Sequence, residues 1–119
     1  MLERRNFRRI EIDTVCMIFV EGYGVEIMGE VTDVSEESIG IRFPMTKELG
    51  EKIDSLNTVN VQFVDTYRDG SLEKTAVVQA SAYIKRRVIE ENSCFIGCVV
   101  RDEAFREYVV KRKMSLYFK

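Results

Sequence analysis

Residues 58–89 read TVNVQFVDTYRDGSLEKTAVVQASAYIKRRVI, and this stretch constrains the fold more than any other. Val59, Val61 and Phe63 alternate with polar residues over 58–67, the period of a half-buried strand. RDGS (68–71) carries an Asp-Gly pair, a strong hairpin signal. Residues 73–89 then form a run long enough for one bent strand. A chain built around such a hairpin is committed to antiparallel sheet.

The rest of the sequence extends that sheet. In IEIDTVCMIFV (10–20), Ile10 and Ile12 alternate with Glu11 and Asp13. EGYG (21–24) reads as a turn, with two glycines for unusual backbone angles. VEIMGEVTDV (25–34) alternates again. SIGIRF (38–43) is a third short strand, stopped by Pro44, the only proline. Residues 45–57 are polar with scattered apolar anchors and read as a loop with room for a helical turn. SCFIGCVV (93–100) is the sixth strand. The period then changes: over 102–118, Phe105, Tyr108 and Val109, followed by Arg112 and Leu116, recur at helical spacing. Asp102 is a good N-cap, Glu103 suits the helix start, and Lys111, Arg112 and Lys113 suit its end. Six strands followed by one helix predict an all-β domain closed into a barrel or sandwich, with a C-terminal α-helix. No linker or repeat divides the 119 residues, so a single domain over 1–119 is expected.

Composition excludes several functions. The chain has no histidine, which removes the commonest general base and the usual partner of a serine or cysteine nucleophile. No phosphate-cradling glycine loop is present, so an enzyme is not expected. Cys16, Cys94 and Cys98 are odd in number, and three residues separate the last two. They read as small apolar core residues in a reducing compartment rather than as disulfides or a metal site. No apolar run approaches the length of a membrane helix, and MLERRNF lacks the apolar stretch of a signal peptide. A cytoplasmic protein without membrane insertion is expected. The net charge of −2 and the lack of tryptophan disfavour a small barrel for single-stranded nucleic acid.

Charge is nonetheless uneven. Arg4, Arg5, Arg8 and Arg9 stand in the first nine residues, against Glu3 alone. A second polar signature lies at DVSEESIGIRF (33–43), where Asp33 and Ser35 are spaced to share one face of an extended segment. Arginines in RNFRR and Asp-x-Ser before a strand, in this order, resemble the two motifs of the PilZ domain family. In that family Arg-x-x-x-Arg precedes the first strand and Asp/Asn-x-Ser-x-x-Gly lies between two strands. Arg5 and Arg9 match the first motif, with Arg4 the preceding basic residue; Arg4 with Arg8 offers the same spacing. Asp33 and Ser35 match the second, with Ser38 standing where the family has glycine. VVQASAYIKRR and FIGCVV resemble the family's later strands, so the likeness covers essentially the whole chain.

The resemblance implies a six-stranded antiparallel PilZ-like β-barrel over 10–101, a flexible arginine-rich arm over 1–9 and a helix over 102–118. It implies cyclic di-GMP as ligand and no cofactor. Arg4, Arg5, Arg9, Asp33, Ser35 and Ser38 are the ligand-binding candidates, with no catalytic or metal residue. The chemistry agrees: guanidinium forks suit phosphate oxygens and the O6 and N7 of guanine, and Asp33 suits guanine N–H donors. If the Ser38 position needs a positive φ, serine costs roughly 1 kcal/mol there. The ligand would order the arm and bias an unidentified protein partner, with motility, biofilm formation or polysaccharide export as typical outputs. The alternative is a PilZ-like protein-interaction module that binds no nucleotide. KRR (85–87) reads as a solvated strand face or as an extension of the phosphate surface.

Overall fold

The computed structural model describes residues 8–20 and 26–117. Arg4, Arg5 and the EGYG turn expected at 21–24 lie outside the described residues. Six strands form: β1 (Ile10–Phe19), β2 (Glu26–Ser35), β3 (Ser38–Pro44), β4 (Thr58–Asp69), β5 (Leu72–Ile89) and β6 (Ser93–Val100). All neighbours are antiparallel, and the sheet closes in the order β1-β2-β3-β6-β5-β4. The alternation seen in sequence decides which face is inside. Ile18, Val31, Ile41, Val61, Ile96 and Val100 are fully buried, and all three cysteines pack among them as free thiols.

The hairpin between β4 and β5 forms as expected. Asp69 and Leu72 pair across it, and Gly70 is its first central residue with φ of 66°. Positive φ at that position alone is the type II′ pattern, which only glycine adopts cheaply.

Residues 45–57 are more ordered than a loop. They hold helix α1 (Lys47–Lys52) and a 3-10 turn over Ile53–Ser55. Thr46 caps α1, its Oγ1 accepting from the Leu49 N–H at 3.1 Å. Leu49 and Ile53 bury their side chains in the core. Arg87 secures this lid by donating from Nε to the Ile53 carbonyl at 2.9 Å and from its other nitrogen to the Leu56 carbonyl.

Helix α2 (Glu103–Tyr117) begins as the sequence predicts, with the Phe105 N–H donating to Asp102 Oδ1 at 2.9 Å. Phe105, Tyr108 and Val109 are its buried face, and Tyr108 meets Phe63 edge-on at 5.8 Å between ring centres. Leu116 does not join them; it is 42% exposed. Nor do Arg112 and Lys113 serve the helix end. Arg112 Nε and Tyr108 Oη both donate to the buried Asp65 Oδ2, at 2.9 and 2.7 Å, and Arg112 lies over the Tyr67 ring. Burial, then the bond to Asp65, pushes the Tyr108 phenol well above its ordinary value. Lys113 pairs with Glu36 at 2.6 Å and Arg106 with Glu37 at 3.5 Å, so the turn between β2 and β3 is tied to α2.

Candidate functional site

The site is built by two irregularities in the strands. In β2 the register against β3 slips between Val31 and Asp33, leaving Thr32 as an extra residue. Val31 faces the core. Strict alternation would turn Asp33 inward beside it, but the bulge turns it to the outer face. In β5 the register against β6 slips between Ile84 and Arg86, leaving Lys85 as the extra residue. Ile84 packs on the core, and the bulge brings both Lys85 and Arg86 to the outside. Arg87 is thereby turned inward, where it holds the 3-10 turn.

Between the two bulges runs a bare strip. Asp33 pairs with Gly40, Gly40 with Gly97, and Gly97 with Arg86, one row across four strands. A carboxylate and a guanidinium thus end a floor made of two glycines. Gly40 is required by close approach: a Cβ there would lie 2.8 Å from Asp33 Oδ2, 3.0 Å from Thr32 Oγ1 and 3.1 Å from Phe95 Cε1. The Phe95 ring leans beside the strip, and the Arg86 guanidinium lies over it, 5.8 Å from the ring centre. Thr32 Oγ1 donates to Asp33 Oδ2 at 3.0 Å and fixes the carboxylate. The resulting open cleft of about 250 Å³ is lined by Arg9, Asp33, Ser38, Gly40, Lys85, Arg86, Phe95 and Gly97, with Cys98 among the apolar remainder. Burial pushes the Cys98 thiol up to about 12, against the opposing effect of Arg87, so it is a neutral wall at physiological pH.

The sequence candidates therefore separate. Arg9, Asp33 and Ser38 meet at the cleft, while Arg4 and Arg5 lie outside the described residues. Ser35 is 4% exposed and does not line the cleft. Its hydroxyl sits 2.5 Å from that of Ser38, and the Glu37 N–H reaches it at 3.4 Å. No described residue other than glycine has positive φ, so Ser38 carries no backbone strain. It opens β3 in ordinary extended geometry, and its hydroxyl pairs with that of Ser35. Phe95, Gly40 and Gly97 were not among the sequence candidates, and Lys85 and Arg86 entered only through KRR, as a solvated strand face or an extension of the phosphate surface. Three cations after Ile84, where alternation requires an apolar residue at 86, were a usable sign of a bulge. Two glycines inside strands were another.

Among the described residues no cluster of three His, Cys, Asp or Glu side chains could hold a metal, and no helix is long and apolar enough to cross a membrane. No protein-family model matches the sequence, and no curated protein matches it. Solved structures do match the fold. The inhibitor of motility MotI (DgrA) of Bacillus subtilis has a TM-score of 0.63 at 16% identity, over 95% of this chain and 53% of that one. The PlzA protein of Borreliella burgdorferi, solved with cyclic di-GMP, has a TM-score of 0.63 at 12% identity, over 92% of this chain and 51% of that one. The PilZ domain of YcgR from Escherichia coli, also solved with cyclic di-GMP, has a TM-score of 0.62 at 13% identity, over 97% of this chain and 92% of that one. The chain spans about half the length of MotI and PlzA and nearly all of the YcgR domain. A six-stranded closed antiparallel sheet with a C-terminal helix and an outer-face cleft is the class defined here. Its fold is that of a PilZ domain.

Proposed function

We propose that the chain is a cyclic di-GMP receptor, a binding module rather than an enzyme, acting in the cytoplasm. The observation that carries the reading is the cleft. Arg9, Lys85 and Arg86 bring three positive charges around a bare floor, and Asp33 presents one fixed acceptor at its edge. That arrangement suits a dianion with guanine bases. Arginine forks chelate phosphate, and a carboxylate takes guanine N–H groups. Ser38 offers a hydroxyl to the ligand and Ser35 steadies it from behind. Arg5, with Arg4 beside it, completes the Arg-x-x-x-Arg motif around Arg9. Two of the structural neighbours were solved with this nucleotide, which supports the same ligand here. Binding draws the arginine-rich arm onto the barrel, and the altered surface then engages a protein partner. The likeness to an inhibitor of motility makes motility a natural output.

Titration calorimetry with cyclic di-GMP on the wild type and on Arg9→Ala tests the reading. Micromolar or tighter binding in the wild type, lost in the variant, is the expected result. Absence of heat and of any thermal shift at high ligand would overturn it. The chain would then be an interaction module whose arginines meet an acidic partner surface.

A further inference from the structure

The row Asp33–Gly40–Gly97–Arg86 contains more than a charge pattern. Its ends differ in hydrogen-bonding sense: Asp33 only accepts and Arg86 only donates. Three strand spacings separate them, about 14 Å between Cα atoms. Both side chains reach over a floor with no side chain of its own. Both are also restrained, the carboxylate by the Thr32 hydroxyl and the guanidinium by the Phe95 ring. A flat heterocycle with donors on one edge and acceptors on the other fits between them. Guanine has N1–H and N2–H on one edge and O6 with N7 on the other. Adenine presents an amino group where guanine has O6, which opposes a guanidinium.

We propose that Arg86, positioned on Phe95, determines base preference by holding the O6/N7 edge of one guanine whose N–H edge meets Asp33. This rests on the cyclic di-GMP reading above and assigns the selection to a residue outside both sequence motifs. The β5 bulge is what places Arg86 there. The adjacent Lys85, on the same face, contributes charge without a planar fork.

The test separates base reading from charge. Affinities for cyclic di-GMP, cyclic di-AMP and the 7-deaza analogue of cyclic di-GMP are measured by calorimetry for wild type, Arg86→Ala, Arg86→Lys and Lys85→Ala, with melting temperatures to confirm folding. The wild type is expected to prefer cyclic di-GMP. Arg86→Ala should weaken cyclic di-GMP about tenfold to a hundredfold, the worth of one bidentate base contact. Its loss should be smaller on the 7-deaza analogue, which lacks N7. Arg86→Lys keeps the charge and should still lose most of the preference. Lys85→Ala should weaken both natural dinucleotides alike.

Wild-type affinity and preference in Arg86→Ala would overturn the assignment while leaving the receptor standing. So would a loss equal for both dinucleotides, which would make Arg86 a phosphate contact. A wild type that binds neither dinucleotide overturns the receptor reading, and this inference with it.

Discussion

Gly40 is the residue on which the cleft depends most. A methyl group there meets Asp33 Oδ2, Thr32 Oγ1 and the Phe95 ring, all within about 3 Å. These are ends of side chains on the outer face, which can swing aside without moving the barrel wall. Gly40→Ala is therefore expected to cost the fold no more than about 1–2 kcal/mol and to weaken cyclic di-GMP at least tenfold. Melting and titration on the same sample check this, and unchanged affinity would count against the strip as a ligand floor. Gly97 differs: a Cβ there makes only ordinary contacts, at 3.7 and 3.8 Å. Ser38 shows what sequence could and could not tell. Its place in the motif was legible from Asp33 and Ser35, but the cost attached to it was not. The position is extended and the hydroxyl finds Ser35, neither of which follows from residue type alone.

Among the elements, α2 is held to the sheet by Asp65 as well as by its apolar face. That carboxylate accepts from both Tyr108 and Arg112. Removing it strands a phenol and a largely buried guanidinium. Asp65→Ala should cost about 2–4 kcal/mol, a fall in Tm of roughly 10 °C for a chain of this size. Asp65→Asn, which keeps an acceptor, should cost less; equal melting of the two variants and wild type would show the network to be idle. The strands were legible because alternation with period two is a strong signal, and so was the helix, through Asp102 and the spacing of Phe105, Tyr108 and Val109. The bulges were not. An extra residue at Thr32 or Lys85 is a single lapse in a pattern, and only pairing with β3 or β6 gives it meaning. Arg86 and Phe95 line the same cleft as Asp33 from strands some fifty to sixty residues further on, so no local reading joins them. Helix α1 and the 3-10 turn go beyond the helical turn expected within 45–57, because only Leu49 and Ile53 mark the buried side of that polar stretch.

At the scale of the whole molecule, the buried thiols make stability depend on alkaline pH. Burial pushes Cys16 up to about 11 and Cys98 to about 12, from an ordinary value of 9.0. Between about pH 9 and those values the unfolded chain releases protons that the folded chain retains. The unfolded state binds fewer protons there, so stability falls as pH rises, by up to about 1.4 kcal/mol per pH unit for each thiol. Below pH 9 both states hold the proton and the effect vanishes. Urea midpoints at pH 8 and pH 10 should show the loss, and Cys98→Ala should reduce the slope. A slope identical in that variant would remove Cys98 from the account.

The two bulges also give the barrel something like a reading frame. Each strand downstream of Thr32 or Lys85 presents its residues in the order set by one extra residue, and a substitution there leaves that order intact. Deleting Lys85 keeps it too: Arg86 then follows Ile84 directly, still faces out opposite Gly97, and Arg87 still faces in towards the turn it secures. What the extra residue adds is a second consecutive cation on the outer face, so one run of three residues serves both pocket and lid.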